Sequence, residues 1–139
     1  RSICKLEEAN STEISADATH PIIALLPEQE GVLDMGGSLR LGANEIKINP
    51  DTLASKLYNS NKISRRHRHR YEFNTNFREQ FKENGMIFSG ESDNGKRMEI
   101  LEVPSHKFFL GVQFHPEFNS RPGFPEESFK SFVTAASQN

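Results

Sequence analysis

The sequence predicts a single domain of the α/β class. Its 139 residues fit one domain, since domains usually contain about 100–200 residues. An alternating pattern at 45–49 and an unbroken apolar run at 108–114 indicate strands, and segments with helical spacing lie between such strands. No internal repeat or low-complexity linker interrupts this order. Strands and helices that follow each other along the chain are typical of α/β domains.

Charge and composition exclude several classes of partner. Seventeen Lys and Arg against nineteen Asp and Glu give a net charge of −2, without the basic excess typical of nucleic-acid binding. No apolar run approaches the ~20 residues that cross a bilayer, and we expect no signal peptide before residue 1. We therefore expect neither a nucleic-acid nor a membrane partner. Cys4 is the single cysteine, so it cannot form an internal disulfide and has to be considered as a catalytic thiol.

The first half of the chain predicts short elements with little aromatic mass. Ile3, Leu6 and Ala9 have the spacing of one helix face, and the absence of a cap predicts a helix that begins before residue 1. The run 21–26 indicates a buried strand or the start of a helix. The pattern at 45–49 predicts a half-exposed strand ended by proline, and 52–58 predicts a short helix.

The second half carries the aromatic residues. All eleven Phe lie after residue 72 and Trp is absent, so the first half has to pack on the second half or on chain outside this sequence. A helix is predicted from about residue 75 to Gly85, and a β-hairpin around Asp93-Asn94-Gly95. The run 108–114 predicts a central strand covered on both faces. A last helix is predicted from about Glu126, with Phe129, Phe132 and Val133 on one stripe.

The most specific local feature is the sequence Phe114-His115-Pro116-Glu117-Phe118. It follows the most apolar predicted strand, and ligands of open α/β sheets bind outside the carboxyl ends of strands. Glu117 can hydrogen-bond one imidazole nitrogen of His115 and leave the other to act as a base. A turn histidine beside a solvated acid is the alternative interpretation.

The segment 65–72 is unusually rich in Arg and His. If it is extended, Arg66, Arg68 and Arg70 share one face, and His67 and His69 share the other. Three interpretations remain open here: a guanidinium row for a carboxylate or phosphate, two metal ligands, or a solvated charged edge strand.

Cys4 is a poor candidate for a nucleophile on its local sequence. A nucleophile at a sharp strand-to-helix elbow needs small neighbours such as Gly, and Ser2-Ile3-Cys4-Lys5-Leu6 has no Gly. We expect Cys4 to be a small packing residue rather than a reactive thiolate, although Lys5 beside it can lower a thiol pKa.

Taken together, these motifs resemble the class I glutamine amidotransferase domain of the CTP synthase family. The resemblance rests on segments 9–13, 36–42, 66–74, 88–90 and 113–118, which follow in the family's order. His-Pro-Glu after a buried strand is common to class I amidotransferases. The segments Arg-His-Arg-His-Arg-Tyr-Glu and Asn-Ser-Thr-Glu make the resemblance specific to the CTP synthase family. It covers essentially residues 1–139 and implies the C-terminal portion of such a domain: three layers, a mostly parallel central sheet, helices on both faces and a β-hairpin.

The resemblance also implies an activity. Family members convert UTP to CTP with ATP and Mg²⁺, with GTP as activator, using ammonia that a Cys–His–Glu triad releases from glutamine. His115 matches the triad base and Glu117 its orienting carboxylate. Glu13 and Arg70 match residues that hold the α-amino and α-carboxylate groups of glutamine, with Tyr71 beside them. A synthetase domain in the same enzyme, a homotetramer and a cytoplasmic location are implied too. No metal or cofactor site is expected in this chain.

The sequence departs from the family at the nucleophile. The Gly-x-Cys-x-Gly elbow, the oxyanion loop and the synthetase domain have no counterpart in these residues, and Cys4 matches a helix position beyond the elbow. We therefore expect the nucleophile to lie before residue 1, and this polypeptide alone to hydrolyse no glutamine. The alternatives are a regulatory domain of the same fold that senses glutamine, or another amidotransferase family with His-Pro-Glu.

Overall fold

The computed structural model describes residues 1–25 and 40–138. The strands are β1 (Ala9–Ser11), β2 (His20–Ala24), β3 (Arg40–Ile48), β4 (Lys62–His69), β5 (Glu72–Phe73), β6 (Ile87–Ser92), β7 (Arg97–Glu102) and β8 (Leu110–Val112). The helices are α1 (Leu53–Tyr58), α2 (Arg78–Glu83) and α3 (Glu127–Ser137). Short 3₁₀ turns cover Thr75–Phe77, Asp93–Gly95 and Pro116–Asn119.

The strands form two sheets. The smaller has the order β1-β2-β5, in which β1 and β2 are parallel and β5 is antiparallel to β2. The larger has the order β4-β3-β6-β7-β8, and all its neighbouring strands are antiparallel. Among the described strands only β1 and β2 are parallel, so the mostly parallel sheet that we expected is not what this part of the chain builds.

The larger sheet curls until its two edges meet. The main-chain N–H of His115, just after the edge strand β8, donates to the carbonyl of Arg66 on the opposite edge strand β4, over 2.9 Å. The ring of Phe114 lies 6.2 Å from the ring of His67 on β4. The curled sheet therefore encloses side chains between its edges and places the His115 turn directly against β4.

Alternation along β3 and β4 explains the main core. Ile46 and Ile48 on β3 and Ile63 on β4 are buried, while their sequence neighbours face outward. They pack with Ile100 and Phe114 from the second half of the chain. The expectation that the aromatic-poor first half packs on the second half is confirmed for these residues.

The predicted N-terminal helix is wrong. Residues 2–5 form turns, and the next regular element is the short strand β1. The N–H of Leu6 donates to the carbonyl of Arg1 (3.1 Å), and Lys5 has a left-handed φ of 53°. This six-to-one hydrogen bond with a left-handed residue is the pattern that ends helices. Leu6 is buried and Ala9 is half-buried, but Ile3 is 46% exposed, so their apolar spacing does not mark one buried face of a continuing helix.

The predicted central strand at 108–114 is also wrong. Only Leu110–Val112 is a strand, and it lies at the edge of the larger sheet. Its residues are half-buried, and Phe109 is 42% exposed. The apolar run arises because Phe114 faces the interior of the curled sheet, where it is buried, and not because the strand is covered on both sides.

The other predicted elements are confirmed. The run beginning at 21 is the strand β2 as far as Ala24; Leu26, like residues 36–39 of the 36–42 motif, lies outside the described residues. α1 begins after Thr52 with a reciprocal capping box to Ser55. The hairpin β6–β7 turns at Asp93–Gly95, and α3 begins after Glu126.

Candidate active site

His115 and Glu117 form a hydrogen-bonded pair on an exposed turn. Nδ1 of His115 lies 2.6 Å from Oε1 of Glu117, and this hydrogen bond lowers the pKa of the Glu117 carboxyl. Pro116 begins the 3₁₀ turn and holds the two side chains on one side of it. Their side chains are 38% and 55% exposed. With Nδ1 held by the carboxylate, Nε2 is the imidazole nitrogen that can exchange a proton with a substrate group.

Glu13, Arg70 and Tyr71 gather at one edge of the smaller sheet. Glu13 follows the carboxyl end of β1, and the N–H of Thr12 donates to the carbonyl of Ile23 near the end of the parallel strand β2. β5 runs antiparallel to β2, so Arg70 and Tyr71, which precede β5, lie at the same edge. Ligands of open α/β sheets bind at such carboxyl ends.

Hydrogen bonds connect the His115 turn to β4 and to the bend that follows β4. The N–H of His115 donates to the carbonyl of Arg66, which lies within β4. The side-chain amide Nε2 of Gln113 donates to the carbonyl of Tyr71 over 3.2 Å, and this bond joins the His115 segment to the edge where Arg70 and Tyr71 lie. Glu13 lies at the same edge through the pairing of β1, β2 and β5.

The predicted two faces of segment 65–72 are confirmed. Arg66, Arg68 and Arg70 are exposed, and His67 is buried with His69 half-buried. Arg70 itself lies in the bend just beyond β4. Of the three interpretations of this segment, the metal site has no support, since no group of three or more His, Cys, Asp or Glu in residues 1–25 and 40–138 is arranged to hold a metal ion.

The inner face of β4 contributes to a buried polar cluster, which we define as Arg40, His67, His69, Ser92 and Glu99. Nδ1 of His67 lies 2.9 Å from Nε2 of His69 and 3.9 Å from Oε2 of Glu99. Arg40 donates to Glu99 and, over 3.0 Å, to the Ser92 hydroxyl. Burial and the positive charge of Arg40 lower the pKa of His67 to about 3 and that of His69 to about 4. Both imidazoles are therefore neutral at pH 7.

Cys4 lies in an apolar cluster with Leu6, Met86 and Val103. It is buried, and this burial raises the pKa of its thiol. A thiol with a raised pKa carries little thiolate at neutral pH, and only the thiolate is a good nucleophile. This environment matches the expectation that Cys4 is a packing residue.

A comparison with protein-family models decides the family. Residues 13–135 match the model of glutamine amidotransferase class-I, a range that includes all five candidate site residues. The chain belongs to the class-I glutamine amidotransferase family. The expected class I fold is thereby confirmed, even though the described strands of this amidotransferase are mainly antiparallel.

Comparisons with individual proteins show which members of the family are similar to this chain. The chain is 52% identical over 136 residues to a CTP synthase of Archaeoglobus fulgidus and 54% identical over 136 residues to one of Staphylococcus epidermidis. These matches cover 98% of this chain but 26% and 25% of the relatives, so the chain spans about a quarter of their length. A solved structure described as the Trypanosoma brucei CTPS glutaminase domain with bound acivicin superimposes with a TM-score of 0.90 at 36% identity, covering 100% of this chain and 54% of that one.

Sequence reasoning missed Gln113 and the carbonyls of Arg66 and Tyr71, which join the site segments. A signal for Gln113 was present, because it is the only polar side chain in the apolar run 108–114. The carbonyls carry no sequence signal.

None of the helices within residues 1–25 and 40–138 has the length and apolarity to span a membrane.

Proposed function

We propose that this chain is the C-terminal portion of the glutamine amidotransferase domain of a CTP synthase, and that the site releases ammonia from glutamine. The observation that carries the proposal is the 2.6 Å pair of His115 and Glu117, on a segment whose Gln113 side chain donates a hydrogen bond to the carbonyl of Tyr71 beside Arg70. The CTP synthase relatives at about 50% identity support the same assignment.

The exposed pair has the chemistry of an acyl-transfer base. Nε2 of His115 takes the proton of a cysteine thiol, and the thiolate attacks the carboxamide carbon of glutamine. His115 then gives that proton to the departing nitrogen, which leaves as ammonia, and a thioester remains. Water, deprotonated by His115, hydrolyses the thioester to glutamate and restores the thiol. Glu117 keeps the imidazole oriented and stabilises its protonated form.

The charged residues at the sheet edge suit the other end of the substrate. Glutamine carries an α-ammonium and an α-carboxylate group, which need one anion and one planar guanidinium fork. Glu13 supplies the anion, Arg70 supplies the fork, and Tyr71 lies beside Arg70. Both charged side chains are exposed in the structure and are thus accessible to a small zwitterion.

The cysteine of the triad is not Cys4. Its thiol is buried and has a raised pKa, so we propose that the nucleophile belongs to a segment outside these 139 residues and that this polypeptide alone hydrolyses no glutamine. A glutamine-analogue affinity label should leave Cys4 unmodified. Labelling of Cys4, with loss of activity in Cys4→Ala, would refute this assignment.

The wider reaction belongs to the whole protein. We propose that the ammonia serves ATP-dependent amination of UTP to CTP on a synthetase domain of the same cytoplasmic, homotetrameric enzyme, with Mg²⁺ and with GTP as activator. The residues that the structure describes hold no arrangement fit for a metal ion. We propose that ATP and Mg²⁺ bind to the synthetase domain, and the steps at the glutamine site require neither of them.

The test separates ammonia production from ammonia use. In the full-length enzyme, Glu117→Ala should lower CTP formation from glutamine and leave CTP formation from added ammonium salt unchanged, because only the first route needs His115. An equal fall in both rates would make the role of Glu117 structural and refute its catalytic assignment.

A glutamine sensor is the second candidate, favoured by the burial of the single cysteine. Such a domain would bind glutamine through Glu13 and Arg70 without hydrolysing it. Calorimetry and an ammonia assay on the full-length protein distinguish the two, since a sensor binds glutamine and releases no ammonia.

A further inference from the structure

Gln113 occupies an unusual place between the two halves of the site. It follows β8 directly and precedes His115 by two residues. Its main-chain N–H donates to the carbonyl of Glu99 on β7 over 3.0 Å, so its backbone is fixed to the larger sheet. Its side chain points away from this ladder and donates through Nε2 to the carbonyl of Tyr71 over 3.2 Å.

The carbonyl of Tyr71 belongs to the segment that needs such support. Arg70 and Tyr71 form the bend between β4 and β5, which belong to different sheets. Within the bend, Arg70 is exposed and Tyr71 is half-buried. A bend between two sheets is fixed less firmly by strand pairing than a residue inside a ladder, so a side-chain hydrogen bond to its carbonyl has a large share in setting its position.

We propose that Gln113 is a positioning residue that sets the distance between the Arg70–Tyr71 bend and the His115–Glu117 turn. This inference rests on the proposed function, because the two segments have to hold the two ends of one glutamine molecule. The α-carboxylate bound by Arg70 and the amide presented to His115 are joined by a short chain. A shift of the bend by about 1 Å therefore weakens glutamine binding without moving the reacting groups of the protein.

The effect of losing the hydrogen bond falls on substrate binding. Arg70 contacts the α-carboxylate of glutamine both before and during the reaction. Weakening this contact therefore reduces the affinity for the ground state and for the transition state by the same factor. We expect the KM for glutamine to rise about tenfold, with kcat within about threefold of wild type. A purely structural role of Gln113 would instead lower kcat, thermal stability and ammonia-dependent synthesis together.

Three variants in the full-length enzyme test the proposal. Gln113→Met keeps the length of the side chain and removes the donor, and Gln113→Lys restores a donor of similar reach. Gln80→Met on α2 is the matched control, because it makes the same change away from the site segments. The measurements are KM and kcat for glutamine, CTP formation from ammonium salt, and the unfolding midpoint.

The expected result is a raised KM in Gln113→Met, partial recovery in Gln113→Lys and no change in Gln80→Met. An unchanged KM in Gln113→Met, a Lys variant no better than the Met variant, or a joint fall of kcat and stability each overturns the inference.

A wild-type enzyme that releases no ammonia would refute the proposed function separately. In that case the Kd for glutamine, measured by calorimetry, tests the role of Gln113. If Gln113→Met binds glutamine more weakly than wild type, the inference stands. If the two proteins bind glutamine equally, or if wild type does not bind it, the inference is overturned.

Discussion

The molecule contains two arrangements of histidine and carboxylate with opposite environments. His115 and Glu117 lie on an exposed turn, 2.6 Å apart. His67 and Glu99 lie inside the curled sheet, 3.9 Å apart, and neither side chain is exposed. The two histidines are close in space, because the main chain of His115 is bonded to Arg66, the neighbour of His67.

The comparison indicates that solvent exposure determines what a histidine and carboxylate pair can do. The buried histidines are kept neutral by desolvation and by Arg40, so they cannot cycle a proton near neutral pH. The exposed pair has a carboxylate on one ring nitrogen and access to a ligand on the other. Under the proposed function, the same residue types stabilise the sheet in one place and transfer protons in the other.

The largest expected effect is on the exposed pair. In the full-length enzyme, His115→Ala should lower glutamine-dependent ammonia release about 10²–10⁴-fold, the usual contribution of a general base, and leave the unfolding free energy nearly unchanged. Paired rate assays and urea denaturation measure both. His106→Ala changes another exposed histidine and should keep the wild-type rate. A His115→Ala enzyme as active as wild type would contradict the proposal that the exposed pair transfers protons.

The buried histidine should show the reverse. His67→Ala removes a fully buried ring that contacts Phe114 and leaves His69 without its hydrogen-bond partner. We expect a loss of about 2–4 kcal/mol in the free energy of unfolding, measured by urea denaturation. A loss no greater than that of His115→Ala would contradict the assignment of His67 to the stability of the sheet.

A pH titration of stability sharpens the same comparison. The folded pKa of His69, about 4, lies below its unfolded value near 6.5, so the unfolded state binds more protons between these values. Stability is then lost as pH falls below about 6.5, by about 2 kcal/mol from this group at pH 5.

The burial of Glu72 raises its pKa and acts in the opposite direction, so wild type is compared with His69→Gln, in which Glu72 is unchanged. The loss between pH 7 and pH 5 should be smaller in His69→Gln. Equal losses in the two proteins would show that His69 does not titrate as described.

The smallest effect is expected on the outer face of β4. Arg68 is exposed, opposite to the buried histidines. If this face is a solvated edge, Arg68→Ala changes the unfolding free energy by less than about 0.5 kcal/mol and leaves the KM for glutamine unchanged. A clear rise in KM would instead favour the guanidinium row that the sequence left open.

Local sequence predicted most of the regular elements, because local chemistry determines them. Thr52 caps α1, Gly85 has a positive φ after α2, and Asp93-Asn94-Gly95 makes the hairpin turn. The elements that failed depend on tertiary context. The apolar spacing of Ile3 and Leu6 matches a helix face, but only Leu6 is buried in the turn that forms. The apolar run before His115 reflects one buried ring on an edge segment.

The candidate site was predictable to a different extent. His115 and Glu117 stand two residues apart, so one turn explains their contact. Glu13 and Arg70 came from the family resemblance, and their common edge becomes visible only with the pairing of β1, β2 and β5. The link through Gln113 depends on a main-chain carbonyl, which any residue at position 71 would provide.

The hydrogen bond between His115 and Arg66 has a consequence for folding order. The β3–β4 and β6–β7 pairs join neighbouring segments and close short loops, whereas this bond joins segments roughly 50 residues apart, and contacts of such separation form slowly. We therefore expect the His115 turn to be fixed only after the five strands of the larger sheet have assembled. The geometry of the candidate site should accordingly arise late during folding, and be lost first when the molecule begins to open.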